Sequence, residues 1–255
     1  MDNFCKIRRR GFTLVELLIA MAVGTVIMAA VYSAMNLALR FSANTDRKVI
    51  TQQDTRAVLD LMAMEIRMAS YNPTMSTIWS TIPSNATTCN QMGLVSPVPA
   101  NKGIQIANAN TILIAMNLNA NNTIGAAGDE NEYIEYSYNA NANTITRNVS
   151  CGGDAVILGP TVTVPPSTPT SNVCNGSNLC NGIAGAGVSL FRYYDKGDAG
   201  HPEGHELLAP VNIPLIRSIQ ITIVTDTVAN DTTTGKPRRM IYSTSVIVRN
   251  HAISP

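Results

Sequence analysis

The chain has few charged residues and few aromatic residues. Charged residues make up 14% and aromatic residues 5% of its 255 residues, and the formal net charge is +1. An ordinary soluble domain contains about 25% charged residues. The near balance of charge argues against a strongly basic nucleic-acid-binding protein and against a protein with a long acidic tail. Because hydrophobic residues reach 45%, the chain can bury a core, and this argues against global disorder.

Helix-breaking residues are missing from the N-terminal quarter. No proline occurs before Pro73, and Gly24 is the only glycine between Thr13 and Asn72. Residues 17–39 also lack any charged side chain. As a helix, this apolar stretch would be about 35 Å long, which is enough to cross a bilayer core of roughly 30 Å. The sequence therefore predicts one long helix that begins with a transmembrane part, residues 17–39, and ends at Pro73.

A basic cluster precedes the apolar stretch and indicates its orientation. Basic residues next to a transmembrane helix stay in the cytoplasm, so the rest of the chain is expected outside. Two simpler interpretations are a cleaved secretory signal peptide and an uncleaved signal anchor. The apolar stretch is long for a signal peptide, and no clear A-x-A cleavage site follows it. The basic residues of the cluster are Lys6, Arg8, Arg9 and Arg10.

A single carboxylate, Glu16, lies at the edge of the apolar stretch, where it is costly to bury in lipid without a partner. Residues 8–16 read RRRGFTLVE. This order of a basic leader, a glycine, a phenylalanine and a glutamate resembles the N-terminal signal of type IV prepilins and of type II secretion pseudopilins. The resemblance implies cleavage by a membrane peptidase between Gly11 and Phe12, methylation of Phe12 and retention of the helix. The resulting segments are the leader 1–11, the helix 12–72 and the head 73–255.

The resemblance also implies partners and a location. In this family the apolar helices of stacked subunits bury one another in a filament core. The ammonium group of Phe12 in an incoming subunit would lie near the Glu16 carboxylate of a subunit already present, where an unpaired charge is strongly disfavoured. Expected partners are other minor and major pilins, the prepilin peptidase and the inner-membrane assembly platform. The chain is expected as a single-pass inner-membrane protein with a periplasmic head, and later in the pilus at the cell surface.

The second half of the long helix has an apolar stripe. Three of its residues lie four, seven and eleven positions after the first, Ala57, which is the spacing of one helix face. We expect this face, together with Met62, to pack on the head. Residues 59–73 resemble a part of PilW-type minor pilins in which an Arg-x-Ala-Gly-Tyr-like turn follows an amphipathic helix, with Ser70 here in place of the glycine. The stripe consists of Ala57, Leu61, Met64 and Met68.

The head has the composition and periodicity of a β-rich domain. After Pro73 the chain is rich in Thr, Asn, Gly, Ser and Pro, and several segments alternate apolar and polar residues with period two. Residues 139–143 are predicted as the turn of a hairpin. The predicted fold class is α+β, a long N-terminal helix packed on an antiparallel sheet, and the order again resembles PilW-type and GspJ-type subunits. The predicted strands are 111–116, 132–138, 144–149, 188–194, 217–224 and 240–249.

Four of the five cysteines lie in the head, whereas Cys5 belongs to the leader. A periplasmic location permits disulfides, and four cysteines allow three pairings. We predict the pairs Cys174–Cys180 and Cys89–Cys151. A zinc site is the alternative, but the spacing contains no CxxC and no histidine lies close in sequence, so no metal ligand is predicted among these cysteines.

Four polar or glycine-rich clusters have the composition of catalytic or ligand-binding sites but fit a structural role better. Residues 195–206 contain four carboxylates and two histidines without the spacing of an EF-hand, so a solvated loop between strands is expected. Residues 129–132 are interpreted as a charged turn before a strand rather than as a carboxylate pair for glycoside hydrolysis. The glycines of 182–187 precede a strand, whereas a dinucleotide site needs them after one. The basic patch 236–239 is expected to decorate a turn rather than to bind DNA phosphates.

No arrangement of Ser, His and Asp or of Cys and His stands out, so no catalytic residue, cofactor or enzymatic activity is expected. The resemblance implies a structural minor subunit of a type IV pilus that takes part in assembly or initiation, within a tip complex. A GspJ-type pseudopilin of a type II secretion system is the first alternative, since it shares the same N-terminus. A pilus-associated adhesin or DNA-uptake module is the second alternative, and a signal-anchored periplasmic enzyme is the third.

Overall fold

The computed structural model describes residues 11–84, 94–126, 128–139, 141–159, 189–230 and 237–252. The chain forms two compact units, Met1–Arg47 and Lys48–Pro255. Helix α1 spans Leu14–Arg67, so each unit contains part of it. The long N-terminal helix predicted from the sequence is confirmed, and it continues without interruption through residues 40–46.

The part of α1 in the first unit is an apolar helix without a buried face. Its large apolar side chains are exposed all round the helix, from Leu14 at 77% to Phe41 at 58%. A helix that is apolar on every side belongs in a lipid bilayer or in the core of a larger structure. The apolar surface of the first unit is therefore suited to contact with lipid or with other apolar helices.

In the second unit α1 buries one face against the sheets. The buried residues recur every three or four positions, as expected for one side of a helix. Met62 and Ile66 are fully buried. The polar Thr55 is accommodated because its hydroxyl donates to the carbonyl oxygen of Thr51, 2.7 Å away. The buried side chains of this face are Thr51, Thr55, Val58, Leu59, Met62, Ala63 and Ile66.

The apolar stripe that was predicted to face the core lies on a different side of α1. Ala57 is exposed, Leu61 is half-buried, and Met64 and Met68 are 57% and 37% exposed. The prediction was wrong because α1 carries apolar residues at helical spacing along two stripes, and periodicity alone does not show which stripe the sheets cover. Of the methionines expected in the core, Met62 is there.

Helix α1 ends at Arg67, five residues before the predicted end at Asn72. Directly after it, the N–H groups of Met68 and Ala69 donate to carbonyl oxygens three residues earlier, at 3.0 and 3.1 Å. Ser70 then adopts a left-handed backbone with a φ of 64°, and its N–H donates to the carbonyl oxygen of Ala115 at 2.9 Å. A turn that is bonded to the sheet therefore ends the helix, and the prediction that Pro73 ends it was wrong.

Five antiparallel strands form the first sheet, in the spatial order in which they occur in the chain. They are β1 (Ile104–Ala107), β2 (Thr111–Ala115), β3 (Tyr133–Asn139), β4 (Thr144–Val149) and β5 (Asp154–Leu158). The predicted strands that correspond to β2, β3 and β4 are confirmed to within one residue at each end. Strands β1 and β5 were not predicted, because β1 has only four residues and β5 begins with Asp and Ala, which are uncommon in strands.

Three antiparallel strands form the second sheet, in the order β6, β7 and β8. They are β6 (Phe191–Tyr194), β7 (Ser218–Asn230) and β8 (Pro237–Ile247), and the short helix α2 (Arg249–Ala252) follows. The described strands therefore form two sheets where one was expected. The sheets meet where the N–H of Phe191 donates to the carbonyl oxygen of Ala109, between β1 and β2, at 2.9 Å.

One hydrophobic core joins the second half of α1 to both sheets. A smaller core lies on the opposite face of β2 and β3, because successive side chains of a strand point to opposite faces. The predicted α+β class, with a long helix and antiparallel sheets, is confirmed. Central residues of the main core are Met62, Ile66, Ile112, Ile114, Tyr136, Phe191, Ile219 and Ile221. Central residues of the smaller core are Trp79, Leu113 and Tyr133.

Candidate functional site

The chain enters α1 through three exposed, non-helical residues, Gly11, Phe12 and Thr13. Phe12 is 89% exposed, and a side chain placed on Gly11 would meet no other atom within 4 Å. The peptide bond between Gly11 and Phe12 is therefore unobstructed by the described residues. Cleavage of this bond and methylation of Phe12 stay predictions.

Glu16 closes the start of α1 through reciprocal hydrogen bonds with Thr13. The N–H and the hydroxyl of Thr13 both donate to Glu16 Oε2, at 2.9 and 3.0 Å. The N–H of Glu16 donates in return to Thr13 Oγ1 at 3.2 Å. This is a capping box, the Ser/Thr-x-x-Glu arrangement that satisfies free N–H groups at a helix N-terminus. It was not predicted, although residues 13–16, TLVE, carry its pattern.

The capping box engages one of the two carboxylate oxygens of Glu16. Both bonds from Thr13 end on Oε2, so the capping box does not use Oε1. A negative charge in the first turn also interacts favourably with the helix dipole. Glu16 is therefore able to stabilise its own helix and to offer Oε1 to a donor on another molecule at the same time.

Helix α1 contains a stretch that is long and apolar enough to cross a membrane. An 18-residue window has a mean Kyte–Doolittle hydropathy of 2.4, and none of it is buried within the chain. The hydroxyls of Thr25 and Ser33 donate to carbonyl oxygens three residues earlier, at 2.8 and 2.9 Å. Such bonds lower the cost of placing a hydroxyl in lipid. These features suit membrane anchoring by the first part of α1.

Several predicted site residues lie outside the described residues, so their roles stay predictions. Cys151 is described and is disulfide-bonded. Its partner is one of the cysteines outside the described residues, and the predicted pairing with Cys89 is not tested. The predicted residues outside the described part are Lys6, Arg8, Arg9, Arg10, Cys89, Cys174, Cys180, the glycines of 182–187 and Lys236.

A charged network ties α1 to the first sheet. Arg147 on β4 makes two hydrogen bonds with Glu65 on α1, from Nη2 to Oε1 at 2.6 Å and from Nε to Oε2 at 3.1 Å. The hydroxyl of Tyr136 on β3 also donates to Glu65 Oε2. The bond to Glu65 raises the pKa of Arg147, and burial followed by the bond to Glu65 raises the pKa of Tyr136. The network fixes the position of α1 along the sheet.

His251 on α2 is buried next to the turn that ends α1. Its Nε2 lies 2.9 Å from the carbonyl oxygen of Ile213, and because a carbonyl only accepts, Nε2 carries the proton. Nδ1 is then an acceptor, and the Ser70 hydroxyl donates to it at 2.9 Å. Burial, with smaller effects of nearby cations, lowers the pKa of His251 to about 4. The folded head therefore holds this imidazole in its neutral form.

The acidic residues of 129–132 organise a loop from the inside. They form a turn before β3, as predicted, but Asp129 and Glu132 are only 2% and 1% exposed. Asp129 accepts hydrogen bonds from the side-chain amides of Asn119 and Asn121 at 2.8 and 2.6 Å. Glu132 accepts the backbone N–H of Asn119 at 2.9 Å. The two buried carboxylates therefore hold the exposed residues of this loop in place by accepting their N–H groups.

The loop 195–206 brings one carboxylate and two imidazoles together. Asp198, His201 and His205 each offer one ligand atom, and these atoms lie within 4.8 Å of one another. The N–H groups of His201 and Gly200 donate to Asp198 Oδ1, both at 2.8 Å, and they lower the pKa of this carboxyl group. The three residues are exposed, in agreement with a solvated loop, but their convergence was not predicted.

The basic patch 236–239 contains one residue whose contacts are described. Arg239 on β8 makes two hydrogen bonds with Asp226 on β7, from Nε to Oδ1 at 2.9 Å and from Nη2 to Oδ2 at 3.0 Å. The charge of Arg239 is therefore partnered within the hairpin that it decorates.

Comparison with known proteins identifies the N-terminal signal and the family. Residues 6–32 match the prokaryotic N-terminal methylation motif, a range that includes Gly11, Phe12 and Glu16. Residues 44–177, which are more than half of the chain, match the family described as prepilin peptidase-dependent protein B. No curated protein and no solved structure matches the chain. The chain is a type IV pilin-like protein and belongs to the family of prepilin peptidase-dependent protein B.

Proposed function

We propose that the chain is a non-catalytic structural subunit of a type IV pilus, cut between Gly11 and Phe12 by prepilin peptidase and assembled through α1. The start of α1 carries this proposal, because an unobstructed peptide bond directly precedes a capped helix with uncovered apolar side chains. The methylation motif at 6–32 supports processing at this bond. The description of the family supports prepilin peptidase as the enzyme.

The proposed subunit begins as a single-pass protein of the inner membrane. The basic leader stays in the cytoplasm, α1 crosses the bilayer, and the head lies in the periplasm, where a disulfide such as that of Cys151 is stable. On assembly the exposed apolar side chains of α1 exchange lipid for the helices of other subunits. The large, loop-rich head and the PilW-like residues 59–73 favour a minor subunit that takes part in initiation within a tip complex.

We propose that Glu16 recognises the N-terminus of an incoming, processed subunit. Cleavage leaves an ammonium group on Phe12, and among packed apolar helices this charge needs an anionic partner. Glu16 Oε1 of a neighbouring subunit is an acceptor that the capping box does not use. A buried pair of this kind also fixes the axial register of two helices.

The first test is mass spectrometry of sheared filaments and of inner membranes, searching for the peptide that begins at methylated Phe12. Its presence in the filaments supports a pilus subunit. Its presence in the membrane alone, with a secretion defect and normal pili after deletion, supports the GspJ-type pseudopilin instead. A membrane form that still begins at Met1 overturns the proposal. Gly11→Val is the matched control, because it adds a side chain at the cleaved bond and leaves the apolar helix unchanged.

Two substitutions separate the local role of Glu16 from its proposed role between subunits. Glu16→Ala removes the carboxylate and both hydrogen bonds that it accepts from Thr13. Thr13→Val removes the two bonds of the Thr13 hydroxyl but keeps the carboxylate and its bond from the backbone N–H of position 13. We expect normal processing of both variants and a loss of at least tenfold in filament incorporation for Glu16→Ala alone. Equal losses for both variants would mean that Glu16 only supports the start of its own helix.

A further inference from the structure

The loop 195–206 of the head carries a group of side chains that the proposed function does not use. We propose that Asp198, His201 and His205 bind a divalent transition metal ion, with Zn²⁺ as the best fit. In this site Asp195 orients the His205 ring through Nδ1, the ring nitrogen that does not face Asp198. This site concerns the head alone and does not depend on the assembly of α1.

The distances between the donor atoms are close to those of a metal coordination sphere. In a tetrahedral zinc site with bonds of about 2.0–2.1 Å, neighbouring ligand atoms lie roughly 3.3 Å apart. His205 Nε2 lies 3.6 Å from Asp198 Oδ2, and His201 Nδ1 lies 3.8 Å from Asp198 Oδ1. The three donor atoms lie within 4.8 Å of one another, so they need to approach by at most roughly 1.5 Å to surround one ion.

The two imidazole rings lie side by side. The ring centroids of His201 and His205 are 4.6 Å apart, and the ring planes are tilted by 45°. Two imidazoles at this distance are able to direct one lone pair each at a shared cation. The carboxylate of Asp198, which lies within 4 Å of a nitrogen of each ring, adds the negative charge that such a cation requires.

Asp195 occupies the position of the carboxylate that commonly supports a metal-binding histidine. His205 Nδ1 lies 3.4 Å from Asp195 Oδ1, while Nε2 of the same ring faces Asp198. A histidine ligand usually donates its other ring N–H to a carboxylate or carbonyl, which fixes the tautomer and directs the lone pair at the metal. Asp195 Oδ1 also accepts the backbone N–H of His205 at 2.7 Å, so one oxygen positions both the backbone and the ring.

The backbone of the loop is held in a closed shape. The N–H of Asp195 donates to the carbonyl oxygen of His205 at 3.1 Å. A Cβ atom on Gly197 or on Gly204 would lie 2.5 Å from a carbonyl oxygen of the loop. Glycine alone lets the backbone pass this closely, and Gly204 also has a φ of 96°. The ligand residues therefore project from a defined loop and not from an open tail.

The donor set selects the class of metal. Two imidazole nitrogens and one carboxylate oxygen suit zinc and its neighbours among the transition metals, whereas Ca²⁺ and Mg²⁺ prefer oxygen ligands alone. Three protein ligands leave the fourth tetrahedral position to water. The side chains of His201 and Asp198 are 58% and 60% exposed, which fits an ion bound at the surface of the head.

The test is a calorimetric titration of Zn²⁺ into the full-length protein in detergent micelles after treatment with a chelator. We expect one zinc ion per chain. His201→Ala and His205→Ala should each weaken zinc binding by at least tenfold, and Asp195→Asn should weaken it by about tenfold. The matched control is Glu203→Gln, which changes an acidic residue of the same loop outside the ligand set and should leave the affinity unchanged.

The absorption spectrum of the Co²⁺-substituted protein identifies the donors, because thiolate ligands add a near-ultraviolet band that nitrogen and oxygen ligands lack. Unchanged circular dichroism and thermal unfolding of each variant, measured without metal, show that the head still folds. The proposal is overturned if zinc does not bind stoichiometrically, if both histidine variants bind as tightly as the wild type, or if cobalt reports thiolate ligands. Failure of processing or of filament entry would leave this result unchanged, so the two proposals fail separately.

Discussion

Ser70 donates a hydrogen bond to His251, a residue 181 positions further along the chain, with 2.9 Å between Ser70 Oγ and His251 Nδ1. The Ser70 hydroxyl also accepts the N–H of Gly103 at 3.0 Å. Gly103 has no room for a side chain, since a Cβ atom there would lie 2.2 Å from the carbonyl oxygen of Ala115. This contact joins the end of α1, the start of the first sheet and the C-terminal helix α2.

The burial of neutral His251 predicts that the head loses stability in mild acid. The pKa of His251 is about 4 in the folded head and 6.5 for an unperturbed histidine. Between these values the unfolded chain binds a proton that the folded chain does not, so this stability is present above pH 6.5 and is lost as the pH falls toward 4. The expected loss between pH 7 and pH 5 is about 2 kcal/mol. Denaturant unfolding of the wild type and of His251→Gln checks this, because the difference in their free energies of unfolding should be smaller at pH 5 than at pH 7. The prediction is contradicted if the free energy of unfolding depends on pH equally in both proteins.

Glu135 on β3 should show the opposite pH dependence. Burial, and then the charge of Asp154, raise the pKa of Glu135 to about 7 from 4.5. Because the folded state keeps this proton up to a higher pH, its contribution to stability is complete below pH 4.5 and is lost as the pH rises through 7. Glu135→Gln should therefore stabilise the head at pH 8, by an amount on the order of 2 kcal/mol, and have little effect at pH 4.5. Denaturant unfolding of Glu135→Gln and of the wild type tests this prediction. An equal change in the free energy of unfolding at pH 8 and at pH 4.5 would contradict it.

Two methionines on one helix should differ in their effect on stability. Met62 is fully buried, whereas Met64 is 57% exposed. Met62→Ala leaves a cavity in the main core and should lower the free energy of unfolding by about 2–5 kcal/mol. Met64→Ala should change it by no more than about 0.5 kcal/mol. Thermal or denaturant unfolding of the two variants decides the matter, and a large loss for Met64→Ala would show that its stripe is covered within the monomer.

The pair of Glu65 and Arg147 should contribute more to stability than the similar pair of Asp226 and Arg239. The side chains of the first pair are 14% and 20% exposed, and those of the second pair are 17% and 35% exposed. Removing one partner from a largely buried pair leaves an uncompensated charge, so Glu65→Gln should cost about 2–3 kcal/mol. Asp226→Asn, in the more exposed hairpin, should cost at most about 1 kcal/mol.

Double-mutant cycles measure both pairs on the same scale. Combining each carboxylate substitution with Arg147→Met or Arg239→Met gives the coupling free energy within each pair. A coupling below about 0.5 kcal/mol for Glu65 and Arg147 would contradict the role of this network in fixing α1 on the sheet.

The sequence predicted the elements of the head better than their arrangement. Strands β2, β3 and β4 have five to seven residues rich in Ile, Thr and Tyr, which favour strands, and their ends were predicted to within one residue. The buried face of α1 was not predicted, because Met62 and Met64 lie on two apolar stripes of equal periodicity. Which stripe is buried depends on the sheets, whose positions come from contacts between residues far apart in the chain.

The polar contacts of the candidate sites were not predicted, although some of them join residues that are close in sequence. The signal around Gly11, Phe12 and Glu16 is contiguous and was recognised, whereas the capping box in the overlapping residues 13–16 was not predicted. The contact between Ser70 and His251 has no sequence pattern, because long-range folding alone brings these residues together. The loop 195–206 lies between these extremes, since its composition was evident but the convergence of its ligands depends on the turns of the backbone.

The capping box of Thr13 and Glu16 also bears on the kinetics of filament growth. Since Glu16 Oε1 takes no part in it, the proposed subunit is able to keep the same helix start in the bilayer and beside a neighbour in the filament. Joining a filament then adds a contact without first breaking one, so no rearrangement at this position slows the step. On the proposed function, the capping box therefore adds no conformational barrier of its own to filament growth.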